Sequence, residues 1–195
     1  MPDLNRIRAV VGAALLLAAS AATAGDWKLP ALMQLLAQNK AGKAIFVEKK
    51  YIAIIDKPIE SSGELAFTAP DRLEKRTLKP NPELLILEGD NLTIDQPGKR
   101  RRTVNLQAYP EVSAFVESIR GTLAGDRSML EQVYTLELTG SAEKWQLVLA
   151  PTQARMLDIV NRIRIGGSHA DVKTIDFEQA DGDRSEMVIT KVSAR

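Results

Sequence analysis

Apolar and polar residues alternate along most of this chain, and Pro and Gly break the alternation at short intervals. The rhythm is clearest over residues 61–94, SSGELAFTAPDRLEKRTLKPNPELLILEGDNLTI. Gly63 opens a strand in which Leu65 and Phe67 share one face. Pro70 ends it. A second strand over residues 73–78 runs to Pro80. A fully apolar strand over residues 84–87 reaches the turn Glu88-Gly89-Asp90-Asn91, with Leu92 and Ile94 beyond. Every connection is a tight turn, so the segment predicts an antiparallel meander of four short strands.

The same periods organise the flanks. Leu29, Leu32, Met33 and Leu36 recur at helical spacing and predict a helix over residues 26–38, with Asp26 as its N-cap. A long strand over residues 44–55 follows, with Phe46, Ile52 and Ile54 on one face. After the meander, Asp95-Gln96-Pro97-Gly98 turns the chain into Lys99-Arg100-Arg101-Arg102, and Val104 and Leu106 resume a strand. Pro110 begins a second helix, whose stripe is Val112, Phe115, Val116, Ile119 and Leu123. Strands then return. Tyr134, Leu136 and Leu138 alternate with polar residues, and Trp145, Leu147 and Leu149 do so up to Pro151. Leu157, Ile159, Ile163 and Ile165 share a face around Asn161, and a final hairpin turns at residues 180–183. Ten or eleven strands and two helices are expected, in a strongly curved antiparallel sheet. No repeat or linker divides the chain.

The pattern in residues 63–89 resembles the periplasmic outer-membrane lipoprotein carriers (LolA-like proteins). Those carry a Gly-x-Leu-x-(Phe/Trp) strand, a Pro, an amphipathic strand, a second Pro, and an apolar strand ending in (Asp/Glu)-Gly. The counterparts are Gly63, Leu65, Phe67, Pro70, Pro80, Glu88 and Gly89. The layout around Pro151 and the final hairpin is similar too. The resemblance implies an α+β fold, a curved antiparallel half-barrel (an incomplete β-barrel) covered by a helical lid. It also implies acyl chains held between the two layers. Two positions depart from the family: Ala69 stands where an Arg holds the lid shut, and Lys75 where a Trp often contributes to the cavity. A divergent member is therefore expected, of the kind that accompanies lipid or polyene export and acyltransfer systems.

The beginning of the chain fits an exported protein. Arg6 and Arg8 precede an uncharged apolar run over residues 9–19, and Ala22-Thr23-Ala24 suits a small-residue cleavage site. Residues 1–24 read as a signal peptide and Gly25 as the first mature residue, in the periplasm of a Gram-negative cell. The run is short for a membrane span of ~20 residues. With no Cys in the chain, no lipid anchor, disulfide or thiol chemistry is expected. The leader holds Asp3, Arg6 and Arg8, so 26 basic and 25 acidic residues become 24 of each in the 171 that follow. That balance argues against a binder of nucleic acid. The length suits one carrier domain, residues 25–195, expected as a monomer. The basic run 99–102 reads either as a docking site or as a solvated hairpin tip that discourages edge pairing.

Catalytic constellations are poor. His169 is the one histidine, beside Gly166-Gly167-Ser168. Ser168, His169 and Asp171 have triad residue types, but neighbours in sequence do not have triad geometry. A solvated turn histidine and no enzyme activity are expected, with no cofactor and no metal. The chemistry on offer is an apolar volume. Pattern alone leaves a filled core and a ligand cavity open; the resemblance implies the cavity. Its candidate liners are Phe46, Leu65, Phe67, Leu73, Leu85, Leu87, Leu92, Ile94, Tyr134, Leu136, Leu138, Trp145 and Leu147, with Val112, Phe115, Val116 and Ile119 from the lid. Each methylene removed from water is worth ~0.8 kcal/mol, so a long acyl chain gains on the order of ten kcal/mol in a dry site. The implied partners are acyl chains of a lipoprotein or lipid, an inner-membrane release complex or exporter, and an outer-membrane acceptor. An acyl-ester hydrolase, or an assembly factor that binds hydrophobic segments, is the competing reading.

Overall fold

The computed structural model describes residues 27–192. Eleven strands in this span form a single antiparallel sheet. Six come first: β1 (Ala41–Tyr51), β2 (Ile59–Thr68), β3 (Arg72–Lys79), β4 (Glu83–Glu88), β5 (Asn91–Asp95) and β6 (Arg102–Asn105). Five come after a helical excursion: β7 (Tyr134–Gly140), β8 (Trp145–Pro151), β9 (Val160–Ser168), β10 (Asp171–Gln179) and β11 (Arg184–Lys191). The spatial order is β6-β5-β4-β3-β2-β1-β11-β10-β9-β8-β7. Two meanders thus meet where β1 pairs with β11. The opposite edges β6 and β7 are not neighbours, so the sheet remains an open half-barrel.

The chain between those edges is helical: a 3₁₀ turn (Leu106–Ala108), α2 (Pro110–Ala124) and α3 (Arg127–Glu131), with α1 (Leu29–Leu36) ahead of β1 and α4 (Ala154–Leu157) after β8. A segment that links the two edges of an open sheet has to cross one of its faces. Pro110 starts α2, where its missing N–H costs nothing. Gly125 ends it at φ 65°, and the Asp126 N–H closes back on the Gly121 carbonyl at 2.8 Å. A Cβ at Gly125 would stand 2.2 Å from the Met33 carbonyl, so glycine here also lets α1 pack on α2.

Three expectations need correction. Gly63 does not open its strand: β2 begins at Ile59, and Gly63 sits at a register shift next to Ser62. A Cβ there would lie 1.9 Å from the Arg76 carbonyl, so only glycine permits the close approach of β3. The long strand stops at Tyr51, not at 55. The Ile55 N–H bonds the Ile52 carbonyl at 2.9 Å and the Asp183 carboxylate accepts from the Ala53 N–H at 2.9 Å, which leaves Ile54 fully in solvent. The first helix begins at Leu29, flanked by Lys28, and Asp26 lies outside the described residues, as does the whole leader. The short helices α3 and α4 were not expected, because one turn leaves too few residues to show a period.

The main core lies in the second meander. Trp145, Leu147, Leu149, Ile163 and Ile165 pack against Leu32, Met33 and Leu36 of α1 and Leu130 of α3. A smaller cluster, Phe46, Ile175, Met187 and Ile189, marks the seam between meanders.

Candidate functional site: an apolar cleft beneath α2

Cross-strand partners share a face of a sheet. The register therefore aligns two inward rows across the first meander. One is Gly42–Phe67–Leu73–Leu87–Leu92, and the other is Ala44–Leu65–Lys75–Leu85–Ile94–Arg102. Above them runs the stripe Val112, Phe115, Val116, Ile119 and Leu123 of α2. The two layers do not close on each other. They leave a cleft of about 320 Å³, lined by these residues except Ile94 and Arg102 and, from the seam, by Ile175, Met187 and Ile189. Phe115 stands edge-on to Phe177, ring centroids 5.0 Å apart, and so ties the roof to β10.

The expected liners divide. Leu65, Phe67, Leu73, Leu85, Leu87 and Leu92 come together in the cleft, as do Val112, Phe115, Val116 and Ile119 above it. Phe46 is packed in the seam cluster. Ile94 faces a separate hollow near the basic hairpin. Tyr134, Trp145 and Leu147 are buried in the main core, with Leu136 and Leu138 against it, and none of the five reaches the cleft. The reason is coverage: α1 and α3 already fill the concavity over β7 to β9. Liners that went unnoticed are Ala44, Val172, Ile175, Met187 and Ile189. All but Ala44 reach the cleft only because β11 pairs with β1, a non-local contact that leaves no mark in sequence.

Two ion pairs stand out among the polar residues of the lining. Lys75 lines the floor, its ammonium 4.9 Å from the Phe46 ring centroid and paired with Glu48. The Ser61 hydroxyl donates to the same Glu48 oxygen at 3.3 Å. At the open end near the start of β1, Lys191 Nζ pairs with Asp171 at 2.6 Å.

The roof is held at defined points. Arg120 of α2 donates to the carbonyl of Gly89, in the β4–β5 turn, at 3.0 Å. Ala69 offers no such side chain from the sheet. Arg72 does not replace it, because Arg72 is bound to Glu74 and Glu88. On the far face of α2, the buried Tyr134 hydroxyl donates to the Ala114 carbonyl at 2.8 Å. Burial, with the nearby Glu117 charge, pushes the Tyr134 pKa up and keeps the phenol protonated. The buried Ser118 and Thr122 bond within the helix, to the carbonyls of Phe115 and Ser118.

His169 occupies a turn at φ 50°. Its Nδ1 lies 3.1 Å from the Ser168 hydroxyl, and its carbonyl accepts from the Trp145 indole at 2.9 Å. The Asp171 carboxylate is engaged by Lys191 and Lys173. Among the described residues no group of three His, Cys, Asp or Glu side chains could hold a metal, and no helix is long and apolar enough to cross a membrane.

An open antiparallel half-barrel roofed by a helix, with an apolar cleft between the layers, is thus the class that the topology defines. Residues 18–194 match the family described as outer membrane lipoprotein carrier protein LolA-like, and the chain belongs to that family. It is similar to an outer-membrane lipoprotein carrier protein of Dechloromonas aromatica (strain RCB), at 26% identity over 136 residues. That match covers 70% of this chain and 62% of the relative, less than two thirds of its length. Among solved structures, the LolA superfamily protein NE2245 of Nitrosomonas europaea is similar at 9% identity and a TM-score of 0.44, over 84% of this chain and 93% of that one. The Pseudomonas aeruginosa MucA/MucB complex is similar at 11% identity and a TM-score of 0.46, over 86% and 58%. At those scores the superpositions add nothing to the family match.

Proposed function

We propose that this protein is a periplasmic carrier. It takes an acyl chain of a lipoprotein or lipid into the cleft beneath α2 and moves it between the inner and outer membranes. The cleft is the observation that carries the reading: aliphatic walls on both layers, under a helix that crosses from one sheet edge to the other. At about 320 Å³ it lies at the small end of the ~300–1,000 Å³ typical of ligand sites. That size favours one chain at a time, and with the Lys75–Glu48 pair on the floor it favours a lipid cargo of an export or acyltransfer system over a multiply acylated protein anchor. The protein works without catalysis, as a monomer, between an inner-membrane release complex or exporter and an outer-membrane acceptor. Export by residues 1–24 places Gly25 first in the mature chain, which N-terminal sequencing of periplasmic protein checks.

Titration with a fluorescent fatty acid tests the cleft. Phe115→Asp should weaken probe binding about tenfold or more at modest cost in stability, because the roof is less deeply packed than the sheet. Phe67→Asp should instead lower the melting temperature, because Phe67 is buried in the scaffold. A Phe115→Asp protein that unfolds as thoroughly as Phe67→Asp would show that α2 belongs to a closed core. Unchanged probe binding in both variants would show that the probe does not use the cleft.

A further inference from the structure

The inward row that floors the cleft does not end at Leu85. It continues through Ile94 of β5 to Arg102 of β6, the edge strand. Strands lie ~4.8 Å apart, so Arg102 starts roughly 10 Å from Leu85 along that row. There a second hollow, about 150 Å³, is lined by Ile94, Gln96, Lys99, Arg100 and Arg102. Its wall toward the cleft is apolar and its far wall is cationic.

Among the described residues no carboxylate pairs with the cations there, whereas several others on the sheet are paired. Lys49 meets Glu60, Arg76 faces Glu64, and Arg162 and Arg164 share Glu178. Among the described residues, no ion pair forms at Lys99, Arg100 or Arg102. Glu83, near the margin, is already engaged: it accepts from the Gln96 amide at 2.6 Å. Arginine forks suit phosphate oxygens, which they bind through paired charge-assisted hydrogen bonds.

We propose that this hollow is a phosphate headgroup site, and that the preferred cargo is an anionic amphiphile whose chain lies in the cleft with its headgroup across Ile94 against Arg100 and Arg102. This rests on the carrier reading and narrows its cargo to a phosphate-bearing lipid. Ile94 lies between the two hollows along the row, where the head-proximal methylenes of a chain would pass.

The experiment compares three fluorescent single-chain lipids of equal length on the purified protein: a lysophosphatidic acid, a lysophosphatidylcholine and a monoacylglycerol. The lysophosphatidic acid should bind about tenfold tighter than the monoacylglycerol. Arg100→Gln/Arg102→Gln should remove that preference and leave monoacylglycerol binding as it was. Equal affinity for all three lipids in the unchanged protein would overturn the headgroup site and leave the carrier reading standing. No binding of any of them would sink the carrier reading itself. Displacement of the lysophosphatidic acid by millimolar inorganic phosphate, down to the affinity of a chainless phosphate ester, would assign the hollow to the free ion and overturn the proposal. If the double variant associates through its β6 edge while its lipid preference persists, the arginines only guard that edge, and the proposal fails.

Discussion

The two meanders of this sheet carry nearly the same alternation and end in different states. In the second, Trp145, Leu147, Leu149 and Ile163 meet α1 and α3 and are fully buried. In the first, Leu65, Leu73, Leu85 and Leu92 point inward just as regularly but keep part of their surface open beneath α2. Strand pattern decides which face is apolar. Whether that face becomes core or cavity is decided by what covers it. One meander has two helices and aromatic side chains over it; the other has a single helix, held at its two ends by different contacts.

The comparison is most exposed to substitutions in the filled half. Trp145→Ala should cost ~3–5 kcal/mol in urea unfolding, on the scale of a large aromatic removed from a closed core. Leu85→Ala, in the open half, should cost about 1 kcal/mol or less and act chiefly on binding of a fluorescent fatty acid. Equal costs at the two sites would mean that the halves do not differ as described. A smaller effect is expected at the roof. Arg120→Ala removes the bond to the Gly89 carbonyl, and stopped-flow dilution should show probe release a few-fold faster with the urea midpoint nearly unchanged. An unaltered release rate would show that this contact does not restrain the helix.

The smallest effect is on the outer face of the filled half. Burial raises the Glu178 pKa, but the hydrogen bonds from Arg162 and Arg164 outweigh it and hold the carboxyl below its ordinary value. A depressed folded-state pKa contributes stability above the unfolded value, ~4.3, that is lost as pH falls through the folded one. Glu178→Gln should therefore lower the free energy of urea unfolding slightly at pH 7, by less than about 1 kcal/mol given the exposure of Arg162. The gap to the parent protein should close as the pH drops below 4. A gap that does not change with pH would remove the carboxylate from the account.

How far the sequence foretold this arrangement depends on the range of the interaction. The four strands within residues 59–95 were legible because their turns are local and their prolines and glycines are specific. The inward face of residues 84–87 was ambiguous, being apolar on both sides, and the register with Leu73 and Leu92 resolves it toward Leu85 and Leu87. Tyr134 and Trp145 read as cavity liners because nothing local separates them from Leu65 and Phe67. The separation comes from α1, which sits over the other end of the sheet. Lys75 stood out only as a departure from the Trp that the resemblance implies, and its partner Glu48 belongs to a strand two places away. Arg120 lay in a helix whose polar positions carried no periodic signal, so the contact that spans roof and turn was invisible.

The pairing of β1 with β11 has a consequence for how the chain is assembled. Every other strand pairs with a neighbour in sequence and closes as soon as both are made. Ala44 through Tyr51 wait for Lys191 through Arg184, the last strand of all. Until then the first meander carries a bare strand edge and an uncovered apolar face, the combination most prone to wrong association. Contact order therefore sets the vulnerable interval: it opens when β1 is made and ends only with the final hairpin.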